Sequence, residues 1–354
     1  MKRRSFLKSV GGAAAGTAIG MSSVAGGGEP ASGGQDQGVA GLPRRALGRT
    51  GLKASVIAFP GLALVHGDQE QGTAALHDAF KRGVNYFDVA PAYGNGDAEI
   101  KMGIGLQGIK REDYLLACKT RMRDKQGARE ELERSLKRLK TDYFDVYQLH
   151  CLKRLEDVEQ ALAPGGAMET ILEAKREGKV RHVGFSAHTT KAALAAMKQF
   201  RFDTVMFPIT FVEYYLMGFG KPIIELATQQ NAAVLAMKML CRGAWPQGVE
   251  RTRRWWYRCV EEPEELKLAV RFVLSQPNVV TGICPSFFDL LDKSIEAGRA
   301  YRPITKAQTD RLRKTAAKCE SLFLREQQEV AGLVEPAGPV HPDSPHDGCP
   351  GLFA

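Results

Sequence analysis

The chain has 354 residues, 44% of them hydrophobic and 25% charged, and its 49 Lys and Arg exceed its 40 Asp and Glu to give a formal charge of +9. That is enough chain for one enzyme-sized domain, and so mild a positive excess is no argument for nucleic acid as a partner. The seven cysteines are odd in number and contain no Cys-x-x-Cys pair, which excludes the sequence signature of a disulfide framework, a zinc site or an iron–sulfur cluster.

In chain order, the first element is Lys2-Arg3-Arg4-Ser5-Phe6-Leu7-Lys8 ahead of an apolar, small-residue run that ends near Ala25. Paired arginines before such a run read as a twin-arginine export signal, with Ser23-Val24-Ala25 as a small-x-small cleavage site; a basic N-terminus without structure is the alternative. The run is too short and too rich in glycine to hold as a spanning helix, so no stable membrane span is expected after cleavage. Residues 1–25 are therefore expected to be a signal peptide and 26–41 a flexible linker rich in Gly, Ser and Gln. This implies the twin-arginine export machinery as a partner and a periplasmic or other extracytoplasmic location. The pathway carries folded proteins, which suits an enzyme that must take its cofactor with it. The leader holds four basic side chains and no acidic one, so its loss lowers the charge from +9 to +5.

Beyond the linker, short apolar runs alternate with amphipathic segments. Strands are expected at 56–59, 84–87, 114–117, 146–149, 180–185, 205–208, 233–237 and 279–283. Helices are expected at 73–81, 97–106, 128–139, 168–176, 191–199, 222–229, 264–274 and 288–297, each with apolar positions three and four residues apart. Continuous apolar strands joined by helical crossovers predict a parallel sheet, and eight such units close into a (β/α)8 barrel, which commonly needs about 250 residues. The barrel is assigned to residues 42–335, with a short N-terminal lead-in, and an irregular tail rich in Pro, Gly and His to 336–354.

Polar residues stand where these apolar runs end: Asp88 after Asn85-Tyr86-Phe87, Lys119 after Tyr114-Leu115-Leu116-Ala117-Cys118, and His150 after Phe144-Asp145-Val146-Tyr147-Gln148-Leu149. Tyr93 follows Asp88 by five residues. Taken singly, the bland readings are a helix-capping aspartate, a core tyrosine, a snorkelling lysine and a core histidine. Taken together, Asp88, Tyr93, Lys119 and His150 resemble the catalytic tetrad of the aldo-keto reductase family. The resemblance extends to Ala46-Leu47-Gly48-Arg49-Thr50-Gly51-Leu52, to Glu99 and Gly103 after the tyrosine, and to Val183-Gly184-Phe185-Ser186, from about Leu42 to about Gly298. It implies carbonyl reduction, or the reverse alcohol oxidation, by hydride transfer with a nicotinamide nucleotide. Tyr93 would be the proton donor, Lys119 would stabilise its phenolate, Asp88 would keep Lys119 ionised, and His150 would orient the substrate oxygen. Barrel active sites sit at the C-terminal strand ends, where Asp88, Lys119 and His150 are expected.

The cofactor side departs from the family. Where relatives hold the nicotinamide amide with asparagine and glutamine, this chain has Ala187 and Met206, and the stacking tyrosine falls at Met237. Ser186 remains as a polar contact, His188 stands in for the lost amide partner, and Lys238 and Arg242 are candidates for a phosphate or ribose; a solvated strand-end lysine is the alternative for Lys238. Cys284-Pro285-Ser286-Phe287-Phe288 keeps little of the family's adenine and phosphate residues, and Lys293 falls near its asparagine. NADPH is the expected cofactor, with NADH left open. No metal is expected. The run Arg251-Thr252-Arg253-Arg254-Trp255-Trp256-Tyr257-Arg258 reads as a packed helical insertion with solvated arginines, or else as an aromatic wall of the substrate cavity. His66 also falls on the catalytic rim. Two functions survive: a reductase of small-molecule carbonyls, and a catalytically slow reductase-like protein that binds nucleotide or a partner as a redox sensor.

Overall fold

Segments such as Leu115-Leu116-Ala117-Cys118 and Ala233-Val234-Leu235-Ala236 carry apolar side chains on both faces, so a strand made from them is stable only when covered on both sides. In the computed structural model, which describes residues 41–336, they are covered by a barrel interior on one face and by helices on the other. The segments expected to be a signal peptide and a linker, up to residue 40, and the expected tail from residue 337 lie outside the described residues.

An antiparallel hairpin comes first, β1 (Arg44–Ala46) with β2 (Lys53–Ser55). Eight strands then follow: β3 (Ile57–Pro60), β4 (Tyr86–Asp88), β5 (Leu115–Thr120), β6 (Phe144–Leu152), β7 (Val180–Ala187), β8 (Thr204–Pro208), β9 (Ala233–Met237) and β10 (Val279–Ile283). Each pairs in parallel with the next, and β10 pairs with β3 to close the barrel. The eight strand positions read from the sequence are those observed, within a few residues at their ends.

Alternation along the strands divides the two faces. Tyr86, Leu115, Ala117, Val146, Met206, Ala233 and Leu235 fill the interior together with Leu47 and Ala54, so the hairpin and its turn plug the N-terminal end. The same period puts Asp88 two residues beyond Tyr86 and Lys119 two beyond Ala117, and carries β6 from Val146 through Gln148 to His150. The inward-facing polar residues are thereby stacked at the open, C-terminal end.

The outer ring contains α1 (Gln69–Lys81), α2 (Asp97–Gly105), α3 (Lys125–Leu139), α4 (Leu155–Leu162), α5 (Ala167–Arg176), α6 (Thr190–Gln199), α7 (Phe211–Met217), α8 (Lys221–Gln230), α9 (Pro263–Leu274) and α10 (Phe288–Arg299). Two more, α11 (Lys306–Ala316) and α12 (Leu324–Val330), follow the last barrel unit. The expected helices correspond to α1, α2, α3, α5, α6, α8, α9 and α10, whereas α4, α7, α11 and α12 have no counterpart among them. Both α7 and α12 span only seven residues, too short to display a periodic stripe. The Gly103 position noted in the sequence has a packing reason: a Cβ there would stand 2.2 Å from the Arg138 carbonyl oxygen, so only glycine lets α2 lie on the end of α3. Among the described residues no helix is long and apolar enough to cross a membrane.

Candidate active site

Asp88 ends β4, and the chain turns at once into a short 3₁₀ turn, Tyr93–Gly96, in which Gly94, Asn95 and Gly96 all take positive φ (60°, 51° and 89°). That left-handed run reverses the backbone within one turn and leaves the Tyr93 ring facing the barrel mouth. Lys119 reaches the same point from β5. Its Nζ donates to Asp88 Oδ1 at 2.5 Å, to Tyr93 Oη at 3.1 Å and to the Val89 carbonyl at 3.1 Å. Gln148 Nε2, from β6, donates to the second Asp88 oxygen at 3.4 Å. The His150 ring stands edge-on to Tyr93, with centroids 5.8 Å apart. The four residues picked out in the sequence are therefore brought together, along with Gln148, which the sequence reading missed.

Behind the site, Arg123 donates to the carbonyls of His150 (2.9 Å) and Cys151 (3.3 Å), and Glu131 accepts from Thr120 Oγ1 (2.6 Å) and from the Arg121 amide (2.8 Å). These contacts fix the ends of β5 and β6. Glu99 is structural here: it is fully buried and ion-paired to Arg138 at 3.0 Å.

Burial alone would push the Lys119 pKa down, but attraction from Asp88 and Tyr93, with their hydrogen bonds, outweighs it and raises the pKa. The lysine is thus held as an ammonium. Tyr93 differs from the expectation that Lys119 would draw its pKa down. Burial raises it, Lys119 opposes the rise only in part, and the nearby Asp88 charge adds to it. The resting phenol is protonated at neutral pH, the form a proton donor needs.

The cleft above Tyr93 is lined by Gly61 and Leu62 after β3, by Met206 and Met237 at the ends of β8 and β9, by Lys238, and by Trp255, Trp256 and Tyr257. The last three belong to the Arg/Trp-rich run, which is a bent loop rather than a helical insertion. Trp255 packs on Trp256 (4.1 Å between centroids) and edge-on to Phe287 (5.2 Å), and His66 stacks on Phe287 (5.5 Å, 11° between planes). The aromatics therefore wall the cleft. Arg253 is not simply solvated: it pairs with Asp289 at 2.6 Å and with Glu261 at 3.0 Å, fastening the loop to α10. Lys293 is engaged by the same Asp289 at 3.5 Å. Burial lowers the His66 pKa, so its ring is neutral at pH 7.

The cofactor candidates are divided. Ser186 Oγ accepts from the Cys151 amide at 2.8 Å, and the His188 ring lies 3.9 Å from Cys151 Sγ and edge-on to Phe323, beneath the segment that leads into α12. Lys238 is 7% exposed, has φ of 57°, and lies near the rings of Trp256 (5.7 Å) and Phe323 (5.8 Å) with no carboxylate in ion-pair range among the described residues. Burial pushes its pKa down to about 8. Arg242 is not brought to the cleft. Its Nε is committed to Glu265 at 2.7 Å, and it lines an outer basic groove with Arg258, Arg311, Lys314 and Lys318. Its number puts it four residues after Lys238 but does not say which way the intervening chain turns.

A nicotinamide nucleotide fits these residues in one specific respect: a buried ammonium with no ion-pair partner among the described residues, beside the cleft over Tyr93, is where a phosphate would be accommodated. Among the described residues no His, Cys, Asp and Glu cluster could hold a metal ion.

The pattern of the Aldo/keto reductase family matches residues 66–316. The L-galactose dehydrogenase of Arabidopsis thaliana is 36% identical over 158 residues, which are 40% of this chain and 47% of that protein. The aldo-keto reductase YhdN of Bacillus subtilis is 30% identical over 214 residues, 55% of this chain and 61% of that one. The chain thus spans between about half and three fifths of the length of these curated relatives. Among solved structures, an aldo-keto reductase from Bacillus halodurans in its holo form superposes with a TM-score of 0.64 at 22% identity, over 80% of this chain and 99% of that one. At that identity the likeness is one of fold.

Lys238 makes stability depend on pH in a defined direction. Its folded pKa, about 8, lies below the ordinary value of 10.5, so the unfolded chain binds the extra proton between these values and stability rises with pH across that window. Below pH 8 the burial penalty is fully present. Lys238→Met is expected to raise the urea midpoint at pH 7, by up to about 3 kcal/mol in unfolding free energy, with the gain fading by about pH 10. Denaturation at the two pH values checks this; an equal effect at both would refute it.

Proposed function

This chain belongs to the aldo/keto reductase family, and we propose that it interconverts a small-molecule aldehyde or ketone and the corresponding alcohol with NADPH, or with NADH in its place. The observation that carries the proposal is the single Lys119 ammonium bonded to both Asp88 and Tyr93 at the C-terminal mouth of the barrel. The nucleotide, when bound, supplies or accepts the hydride. Tyr93 gives its phenolic proton to the substrate oxygen in reduction and takes it back in oxidation. Lys119 stabilises the resulting phenolate, Asp88 keeps Lys119 charged and aimed, and His150, edge-on to Tyr93, orients the substrate oxygen. Trp255, Trp256 and Tyr257 exclude water from this point and favour a substrate with an apolar body.

For the nucleotide, Lys238 lines the cleft, and Ser186 and His188 stand at and just past the end of β7, both against Cys151. Met206 and Ala187 bring apolar surface where relatives place amide-binding side chains, and this supports a second reading, a slow reductase-like protein that binds nucleotide as a redox sensor.

Activity tests the first reading directly. With a panel of small aldehydes and ketones, followed by loss of nicotinamide absorbance, Tyr93→Phe is expected to lower turnover by about a hundred- to ten-thousand-fold while leaving nucleotide affinity within about threefold. Near-full turnover in that variant would remove Tyr93 from the chemistry. Calorimetric titration with NADPH and NADH separates the two readings. If phosphate contacts carry binding, Lys238→Ala raises the dissociation constant by about tenfold or more, and high salt weakens both proteins' binding. Tight, salt-insensitive binding unchanged by the substitution would overturn the role given to Lys238, and binding without turnover on any substrate would favour the sensor.

Export through the twin-arginine pathway is the second part of the proposal. It is supported by Arg3 and Arg4 ahead of the apolar run and by a fold able to hold its cofactor before transport. Replacing both arginines by lysine is expected to leave folded protein in the cytoplasm. Fractionation reads this out, and an unaltered extracytoplasmic yield would count against it.

A further inference from the structure

The aromatic wall of the cleft hangs from a narrow neck. After β9 the chain runs outward through Lys238, Met239 and Leu240, makes the loop that carries Trp255, Trp256 and Tyr257, and returns beside itself at Cys259. The neck is an antiparallel bridge: the Arg242 amide donates to the Arg258 carbonyl at 2.7 Å, and the Val260 amide donates to the Leu240 carbonyl at 2.8 Å. Cys241 and Cys259 face each other between these two bonds. This is the non-hydrogen-bonded position of an antiparallel pair, where opposed Cα atoms lie about 4.5 Å apart and side chains leave on the same face. A disulfide spans Cα separations of about 4.4–6.8 Å, so the backbone already has the geometry one requires.

Both side chains are free thiols, and neither is strongly engaged elsewhere. Cys241 Sγ accepts from the Gly243 amide at 3.4 Å, and Cys259 Sγ approaches the Tyr257 carbonyl at 3.9 Å. Turning the two sulfurs toward each other forfeits only these weak contacts. No other pair of the described cysteines occupies directly opposed positions in a strand pairing.

We propose that Cys241 and Cys259 are a disulfide site, oxidised by a small-molecule disulfide such as oxidised glutathione, and that the bond staples the neck of the cleft-walling loop. One cysteine thiolate attacks the small disulfide and releases one glutathione thiol; the other then attacks the protein sulfur of the mixed disulfide and releases the second. Two protein S–H bonds become one S–S bond, and the two electrons and two protons end on the two glutathione molecules. Burial pushes both thiols up, so exchange is slow while the loop is down, and the finished bond is shielded from reductant. In the closed ring the loop retains fewer ways to swing away from Tyr93 and Lys238, so the wall built by Trp255 and Trp256 becomes a fixed part of the cleft. The inference rests on the backbone pairing and stands apart from the catalytic reading.

The experiment uses the full chain, equilibrated across glutathione ratios, with free thiols then blocked by iodoacetamide before peptide mapping by mass spectrometry. The expected result is a pair of peptides joined through Cys241 and Cys259 at oxidising ratios and lost on treatment with dithiothreitol, while Cys284 stays alkylated. Trypsin supplies a second readout: cleavage after Arg251, Arg253 and Arg254 is expected to slow by about tenfold in the oxidised form, since cutting requires local opening of the loop. Cys259→Ser should abolish both effects, and the wild-type redox series decides the matter alone if that variant does not fold. Alkylation of both cysteines at every ratio would overturn the site, as would a link from either one to Cys284 or another thiol. Equal cleavage rates in the linked and unlinked forms would overturn the staple.

Discussion

An ammonium with no solvent exposure can stay charged at the top of this barrel only because Asp88 meets Lys119 Nζ at 2.5 Å. Removing water from two such ions is costly, and a buried pair left with one member typically destabilises a protein by about 3–5 kcal/mol, so neither residue is replaceable alone. The pair also carries geometry. It joins the end of β5 to the end of neighbouring β4, Gln148 extends it to β6, and the Val89 carbonyl takes a further hydrogen bond from the same amine. Three adjacent strand ends are thereby fixed to one another before any substrate arrives. Tyr93, presented by a left-handed turn after β4, comes within hydrogen-bond reach of a cation it does not have to reorganise. The positions of the reactive groups follow from that one contact.

Tyr93 and Lys238 show the same burial acting on opposite charge types. For Tyr93, desolvation opposes the phenolate, so the proton stays on until a substrate oxygen can take it. For Lys238, desolvation opposes the ammonium and outweighs the attraction of Glu326, with no carboxylate in ion-pair range among the described residues, so its pKa falls to about 8. A bound phosphate would reverse that balance by supplying the missing anion. A residue that weakens the unliganded fold and, as proposed, strengthens the liganded one is the pattern expected where local consistency has been given up for binding.

The barrel and the four tetrad residues were legible because both rest on short-range regularities. An apolar run of four to six residues bounded by a helix signal marks a strand, and in a parallel barrel the polar residue that ends such a run has only the C-terminal mouth to face. Gln148 escaped notice because a glutamine inside a buried strand resembles any tolerated polar residue until its partner, sixty positions away in sequence, is known. For a related reason sequence order misplaces Arg242 and does not choose between the two readings of the Arg/Trp run. They lie in a loop whose direction is set by the pairing of Leu240 with Val260 and by the Arg253–Asp289 contact, and neither leaves a periodic trace. The segment after α10 was harder still, because α11 buries only Leu312 and Ala316 and α12 only Glu326, too few apolar positions to show a periodic stripe.

The contacts that fasten this segment determine how the mouth is roofed. Buried Glu213, at the start of α7, accepts from Ser321 Oγ at 2.6 Å and from the Leu322 amide at 2.7 Å, which sets Phe323 against His188 and Phe219. Lys153, just past β6, pairs with Glu326 at 3.1 Å, and Gln327 Nε2 donates to the His188 carbonyl at 3.5 Å. The C-terminal segment thus covers the ends of β6 and β7, while the loop after β9 covers the ends of β3 and β10 through Trp255, Phe287 and His66. Lys238 lies between the two covers, near Trp256 of one and Phe323 of the other. Lys238, which makes no ion pair among the described residues, is thus buried by the same few loop contacts that bound the cleft, while the barrel beneath supplies a fixed floor.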